Sequence, residues 1–308
     1  MPEDRQGTAS GMPDHRRTSA SLALLAQQSG LWQIGIRPRL VPYLGELWRF
    51  RQFIRVLARS RAYAENQNSY LGQLWAIVTP ILNATVYVIV FGLILSTDRG
   101  VDNVIAFIVI GVFMFRFFER SVVAGGKSIS EKLDLVRALH FPRAVLPIAA
   151  VATELATLIP SLLVMAAIIL VTGFLPGYEF VSITPEWLLL PVIVILFSIF
   201  NAGCAMIAAR IVAATPDIMN VIQFIMRFIF YGSGVLFSIS HYAPASLLPA
   251  MNHQPVALFL SMTRQALTQE PTMPLDFSLY IWALGWAALF LIGGFLFFWR
   301  GEERYGRE

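Results

Sequence analysis

Six apolar runs, each about as long as a bilayer is thick, constrain this 308-residue chain more than any motif in it. They cover residues 74–95, 104–122, 146–172, 187–209, 218–239 and 278–299. A helix needs about 20 mostly apolar residues to cross the hydrocarbon. A backbone in lipid must also satisfy its own hydrogen bonds, so such runs predict helices. The expected fold is all-α: a polytopic membrane protein with six transmembrane helices. Composition agrees, because only 14% of residues are charged and 56% are hydrophobic, whereas soluble domains carry about 25% charged residues. An ordinary soluble enzyme, a disordered chain and a disulfide scaffold are excluded. The single cysteine, Cys204, lies in an apolar run and has no partner for an intrachain disulfide. Residues 1–30 do not read as a cleavable signal peptide, since the apolar stretch after Arg16-Arg17 breaks at Gln27-Gln28.

The 23 basic residues sort by side. Ten arginines precede Leu74, and Arg120, Lys127, Lys132, Arg137 and Arg143 fall between the second and third runs. Arg210, Arg300, Arg304 and Arg307 join that face, while Arg99 and Arg264 fall on the other. The positive-inside rule then puts both termini in the cytoplasm. The net charge of +4 is explained by topology and by attraction to anionic lipid. No nucleic acid is needed to explain it.

Residues 1–42, rich in Gly, Ser, Pro, Gln and Arg, read as a disordered basic cytoplasmic tail. Over 43–61 the pattern becomes amphipathic. Leu44, Leu47, Trp48, Phe50, Ile54 and Leu57 share one face, and Arg51, Arg55 and Arg59 share the other. With no soluble core to receive it, this helix is expected in the membrane interface. After the second run, Gly125-Gly126 reads as a stop and Ser128-Ile129-Ser130-Glu131 as a capping box. A short helix through Leu139 follows, bearing Glu131, Lys132, Asp134 and Arg137. Periodicity alone fits a plain connector and a docking surface equally.

Gly126-Lys127-Ser128 imitates the end of a phosphate-binding loop, but Ser121 stands where its first glycine is required. It also follows a membrane run and not a strand, so ATP binding by this chain is not expected. His15, His140, His241 and His253 are scattered, and no metal-ligand or paired-carboxylate spacing is present. No catalytic residues and no metal are expected. The segment 240–277, broken by Pro244, Pro249, Pro255, Pro271 and Pro274, suggests half-helices dipping back into the membrane under protein cover.

Arg116, Glu154 and Arg227 fall at membrane depth, where an ionisable group costs roughly 2.5–3.5 kcal/mol on insertion scales. Arg116 also fits snorkelling to an interface. Glu154 is expected to be buried against a partner. Arg227, mid-run beside Phe228, Phe230 and Tyr231, is the strongest channel candidate.

Three stretches together resemble a known family. Tyr70-Leu71-Gly72-Gln73-Leu74-Trp75 with Pro80 resembles the start of the first span of ABC-2-type permeases. Leu135-Val136-Arg137, Phe141-Pro142-Arg143 and Leu146-Pro147 resemble that family's segment between spans two and three. Residues 233–237, Pro249, Asn252, Pro255 and Arg264 resemble its outer re-entrant region. Ser233-Gly234 replaces a usual Ser-Pro there, and the usual Asn-Pro is spread over Asn252-His253-Gln254-Pro255. The likeness covers about residues 43–300 and is nearest to the polysaccharide, O-antigen and teichoic-acid exporters.

The resemblance implies a permease that dimerises and pairs with two copies of a separate ATPase, on which ATP and Mg²⁺ bind. Its substrate would be a lipid-linked glycan. The segment with Ser128, Glu131, Lys132, Asp134 and Arg137 would be the helix that docks on the ATPase. The helix with Trp48, Arg51, Arg55 and Arg59 would be the interfacial gate helix. The channel candidates are Arg116, Glu154, Arg227 and Tyr231. The expected function is export of a polyprenyl-diphosphate-linked polysaccharide across the cytoplasmic membrane of a bacterium. The Arg-rich, Lys-poor composition suggests a high-GC actinobacterium and, as cargo, cell-wall galactan; O-antigen is the alternative glycan. Rivals are an ABC-2 exporter of lipids or drugs and a membrane-embedded glycan-modifying enzyme.

Overall fold

The computed structural model describes residues 39–64, 72–87, 89–90, 101–139, 141–174, 181–268, 274–303 and 305. The expected tail up to residue 38, the end of the first expected span after residue 90, and Arg99, His140, Arg304 and Arg307 lie outside the described residues. Among the described residues every regular element is helical.

The amphipathic segment forms two helices, α1 (Leu40–Arg49) and α2 (Arg51–Ala64), and not one helix over 43–61. The break falls at Phe50, whose ring gathers with Phe53 and Phe141 at centroid distances of 6.1–6.3 Å. Helical hydrogen bonds run on through this residue: the Phe50 N–H donates to the Glu46 carbonyl at 3.0 Å and the Phe50 carbonyl accepts from Ile54 at 2.9 Å. Beside it Arg51 donates to the Trp48 carbonyl at 3.1 Å and sits over the Trp48 ring. α2 then lies along α6 (Val145–Thr172), burying Ala58.

α3 (Trp75–Tyr87) follows a 3-10 turn, Gly72–Leu74. α4 (Val104–Lys127) is the axis of the bundle and is almost continuously buried from Ile105 to Phe118. Its start is capped: the Asn103 side chain accepts from the Ala106 N–H at 2.9 Å and donates to Thr172 at 3.1 Å. Gly125-Gly126 does not end this helix. A Cβ on Gly125 would sit 2.4 Å from that of Ala205, so the glycine exists for close contact with α7 and the helix continues to Lys127. The expected capping box does not form either. A 3-10 turn, Ser130–Lys132, leads into α5 (Leu133–Ala138), and neither start has a side-chain cap bond.

α7 (Leu190–Ala214) follows a 3-10 turn, Pro185–Leu189. α8 spans Ile218–Gly232, shorter than the expected run to 239. Gly234 takes φ +66°, a conformation that favours glycine, and turns the chain into α9 (Ile239–Tyr242). α10 (Leu248–His253) and α11 (Pro255–Thr268) precede α12 (Ser278–Trp299). Among the described residues, Val145–Thr172, Pro185–Ala214 and Ser278–Trp299 are long and apolar enough to cross a membrane. α4 has the length but carries Arg116, Glu119 and Arg120 close together.

Between helices in lipid there is no hydrophobic drive, and close packing must supply the affinity. α7 and α12 meet backbone to backbone at Gly203 and Gly294: a Cβ on Gly203 would lie 2.3 Å from the Phe290 carbonyl carbon, and one on Gly294 2.3 Å from the Gly203 oxygen. Next to this contact an aromatic stack joins α4, α7, α11 and α12 through Phe118, Phe197, Phe200, Phe259 and Phe290, with Phe197 and Phe259 only 4.5 Å apart. A second, smaller core lies around Tyr43, Ile129, Val136, Leu146, Met206, Phe298 and Tyr305. It joins α1, the α4–α5 connection and the end of α12.

Candidate functional site

Where α2, α4, α6 and α8 meet, a cavity of about 560 Å³ opens. Its charged lining is Arg61 from α2, Glu119, Arg120 and Lys127 from α4, Glu131 from the turn before α5, Glu154 from α6 and Arg227 from α8. Two ion pairs neutralise part of it: Arg61–Glu131 at 2.7 Å and Arg120–Glu154 at 2.9 Å. Lys127, Arg227 and Glu119 have no ion-pair partner among the described residues, so the chamber presents two cationic donors and one carboxylate to whatever enters it. Four-residue spacing places Arg116 and Arg120 on one face of α4, and Lys127 follows two turns on.

A smaller cavity of about 130 Å³ adjoins the first. Trp75, Pro80, Val112, Phe113, Phe117 and Leu158 give it an apolar wall, and Thr79, Asn83, Arg116, Thr157 and Ser161 add polar groups. Arg120 and Glu154 line both cavities. Glu154 is 5% exposed, and the Thr157 hydroxyl donates to its backbone carbonyl at 2.9 Å.

Of the channel candidates, Arg116, Glu154 and Arg227 therefore fall on these two connected cavities, while Tyr231 is exposed and lines neither. Sequence reasoning overlooked Arg61, Glu119, Arg120 and Lys127 as site residues, counting the basic ones as topology signals. The i, i+4 pairing of Arg116 with Arg120 was the available clue.

The α4–α5 connection divides by burial. Ile129 and Val136 are buried, and Ser128 is buried too, its hydroxyl without a hydrogen-bond partner among the described residues. Ser128 thus faces the bundle and is not available for surface docking. Glu131, Asp134 and Arg137 are exposed. Lys132 is half-buried; burial and then Arg61 pull its pKa down, against Glu131. On α1 and α2, Trp48, Arg51, Arg55 and Arg59 are all exposed.

Arg264, assigned to the outer face by its place between the fifth and sixth runs, is 3% exposed within α11. Its guanidinium donates to the carbonyls of Phe107 at 3.2 Å and Val235 at 3.0 Å and lies 3.4 Å over the Phe107 ring. It pins α11 to α4 and to the turn after α8. Among the described residues no group of three or more His, Cys, Asp or Glu is placed to hold a metal.

The described residues thus form a helical bundle with three helices long and apolar enough to cross a membrane, an exposed charged connection and a charged cavity. The family model for ABC-2 type transporters matches residues 51–268, and the chain belongs to that family. It is 27% identical over 238 residues to the O-antigen export system permease protein RfbA of Myxococcus xanthus, covering 76% of this chain and 87% of that one. It is 24% identical over 200 residues to a protein of the same name from Klebsiella pneumoniae, covering 65% and 73% of the two chains.

Proposed function

We propose that the chain is the membrane subunit of a bacterial ABC exporter that moves a polyprenyl-diphosphate-linked polysaccharide outward across the cytoplasmic membrane. Two copies work with two copies of a separate ATPase that binds ATP and Mg²⁺, and both termini face the cytoplasm. The observation that carries this reading is the cationic chamber adjoining an apolar-walled pocket. A diphosphate needs charge-assisted donors once it leaves water, and Lys127 and Arg227 supply them. Trp75, Val112, Phe113 and Leu158 stand beside them as surface for a lipid. The names of the relatives support a glycan over a drug as cargo, whether a cell-wall galactan or an O-antigen-like chain.

In this mechanism Asp134 and Arg137 meet the ATPase, and closure of the ATPase dimer pushes on α5. α1 and α2 move with it, opening the chamber towards the lipid. Arg61 carries one end of that movement, because it binds Glu131 across the chamber mouth.

The test is export from proteoliposomes holding the permease, its ATPase and a polyprenyl-diphosphate-linked glycan. ATP-dependent movement of the glycan is expected, and Arg227→Gln should reduce it. Brisk movement of a sugar-free lipid with none of the glycan would overturn the reading in favour of lipid export.

A further inference from the structure

Tyr43 is the one residue of α1 buried in the structure; its ring packs in the smaller core, 5.9 Å from that of Phe295, while its hydroxyl has polar partners. Its hydroxyl donates to Glu302 Oε2 at 3.0 Å and accepts from the Ala144 backbone N–H at 3.1 Å. The other carboxylate oxygen of Glu302 accepts from the Arg143 N–H at 3.0 Å, and the Arg143 guanidinium donates back to the Glu302 carbonyl. Tyr305 closes the far side, donating to the Phe298 carbonyl at 3.0 Å, and Arg210 donates to the Phe297 carbonyl beside it. Tyr43 is 1% exposed and Glu302 8%.

Three segments remote in sequence thus meet at one carboxylate: the start of α1, the Phe141-Pro142-Arg143 link between α5 and α6, and the chain just after α12. An apolar contact would anchor α1 with less desolvation cost, since a buried carboxylate must be fully bonded to be tolerated. What a carboxylate adds is direction. Its two oxygens hold two separate segments in fixed relative positions, so displacement of the link is delivered to α1.

We propose that Tyr43, Glu302 and Arg143 form a clasp through which movement of α5 is passed to α1, making Glu302 a positioning residue for transport. The proposal rests on the reading above that α5 meets the ATPase and α1 takes part in opening. The joint is also suited to respond to protons. Burial raises the Glu302 carboxyl to about 7, although the Arg143 N–H, the Tyr43 hydroxyl and the Arg143 guanidinium all favour its ionised form. The charged and titratable groups around it are Tyr43 on α1, Arg143 on the link, Tyr305 after α12 and Arg210 on α7.

A spin label on α1 tests this, attached through Glu46→Cys with Cys204 replaced by Ser. In the isolated permease, Tyr43→Phe should mobilise the label. Glu302→Gln, which keeps an oxygen for the Arg143 N–H, should hold the label in place but abolish its pH response. In the complex with the ATPase, Tyr43→Phe should leave ATP hydrolysis running while export falls about tenfold, the order of one lost hydrogen bond. The ATP-driven change at the label should disappear with it. An unmoved label in Tyr43→Phe, an unchanged pH response in Glu302→Gln, or full export from Tyr43→Phe would each overturn the clasp. Failure of the wild-type complex to export any glycan would sink the functional reading, while the isolated-permease label would still decide whether the clasp holds α1.

Discussion

Arg120 Nε and Glu154 Oε2 stand 2.9 Å apart, bridging α4 and α6 at the wall shared by the two cavities. The two partners are unequally placed: the arginine side chain is 50% exposed and the glutamate side chain 5%. The pair stands where the two cavities adjoin. Under the proposed function, an anionic head group entering the chamber would meet the open side of Arg120 and compete with Glu154 for it.

The unequal burial predicts unequal mutational costs. Arg120→Ala takes the guanidinium from a buried carboxylate, and leaving such an acceptor short of a donor costs about 1–3 kcal/mol. Glu154→Gln keeps a hydrogen-bonding oxygen and should cost less. Thermal unfolding in detergent should show the larger drop in midpoint for Arg120→Ala; the reverse order would mean that the pair is not what stabilises this wall.

Under the proposed function, Lys127 and Arg227, without an ion pair among the described residues, are the chamber's cations for the head group. Each charge-assisted hydrogen bond is worth about 1.5–3 kcal/mol, so Lys127→Gln and Arg227→Gln should each weaken head-group binding by about tenfold or more. Binding of a polyprenyl diphosphate to the purified permease in nanodiscs measures this directly. Wild-type affinity in the double variant would remove the chamber as the head-group site.

The exposed face of α5 predicts where assembly is sensitive. Reversing Asp134 and Arg137 together should abolish co-purification with the ATPase or uncouple hydrolysis from export. Glu131 is a poorer probe, because its reversal also breaks the Arg61 pair that ties α2 to this segment. Normal assembly and coupling in the Asp134→Lys, Arg137→Asp variant would exclude α5 as the docking element.

Glu302 predicts a pH dependence with a definite sign. Its folded pKa of about 7 lies above the ordinary carboxylate value of 4.5, so the fold prefers the protonated form. Its stabilising contribution is therefore fully present below about pH 4.5 and is lost as pH rises towards about 7. Above that the acid is ionised in both states and the curve flattens. Unfolding of the permease followed across this window should show the decline in the wild type and its absence in Glu302→Gln.

Arg264 predicts strict identity. Its planar fork reaches two backbone carbonyls from over a phenyl ring, and a lysine cannot reproduce that geometry. Arg264→Lys should therefore cost about 1–3 kcal/mol through an unsatisfied carbonyl, seen as a lower unfolding midpoint. A lysine variant as stable as the wild type would show that the fork is dispensable.

Much of the helical framework was legible because hydropathy reports it directly. The last apolar run has the same bounds as α12, and the run from 146 differs from α6 by one residue. What hydropathy does not encode is where a backbone turns inside an apolar stretch. Residues 235–239 are as apolar as the helix before them, yet Gly234 has already turned the chain. Gly125 misled in the opposite sense, since the same residue that ends helices also lets two of them touch. The site was half visible. Glu154 and Arg227 stood out as charges among apolar neighbours, whereas Lys127 and Arg61 sat in segments where basic residues are expected anyway. Arg264 was hidden because its partners are main-chain carbonyls, which every sequence contains.

The contact of Gly203 with Gly294 has a consequence for the transport cycle. With no side chains between them, α7 and α12 lie at main-chain contact, and a methyl group added at either position would force them apart. If that contact persists through the cycle, the two helices travel together, and the rearrangement falls on other helices of the bundle.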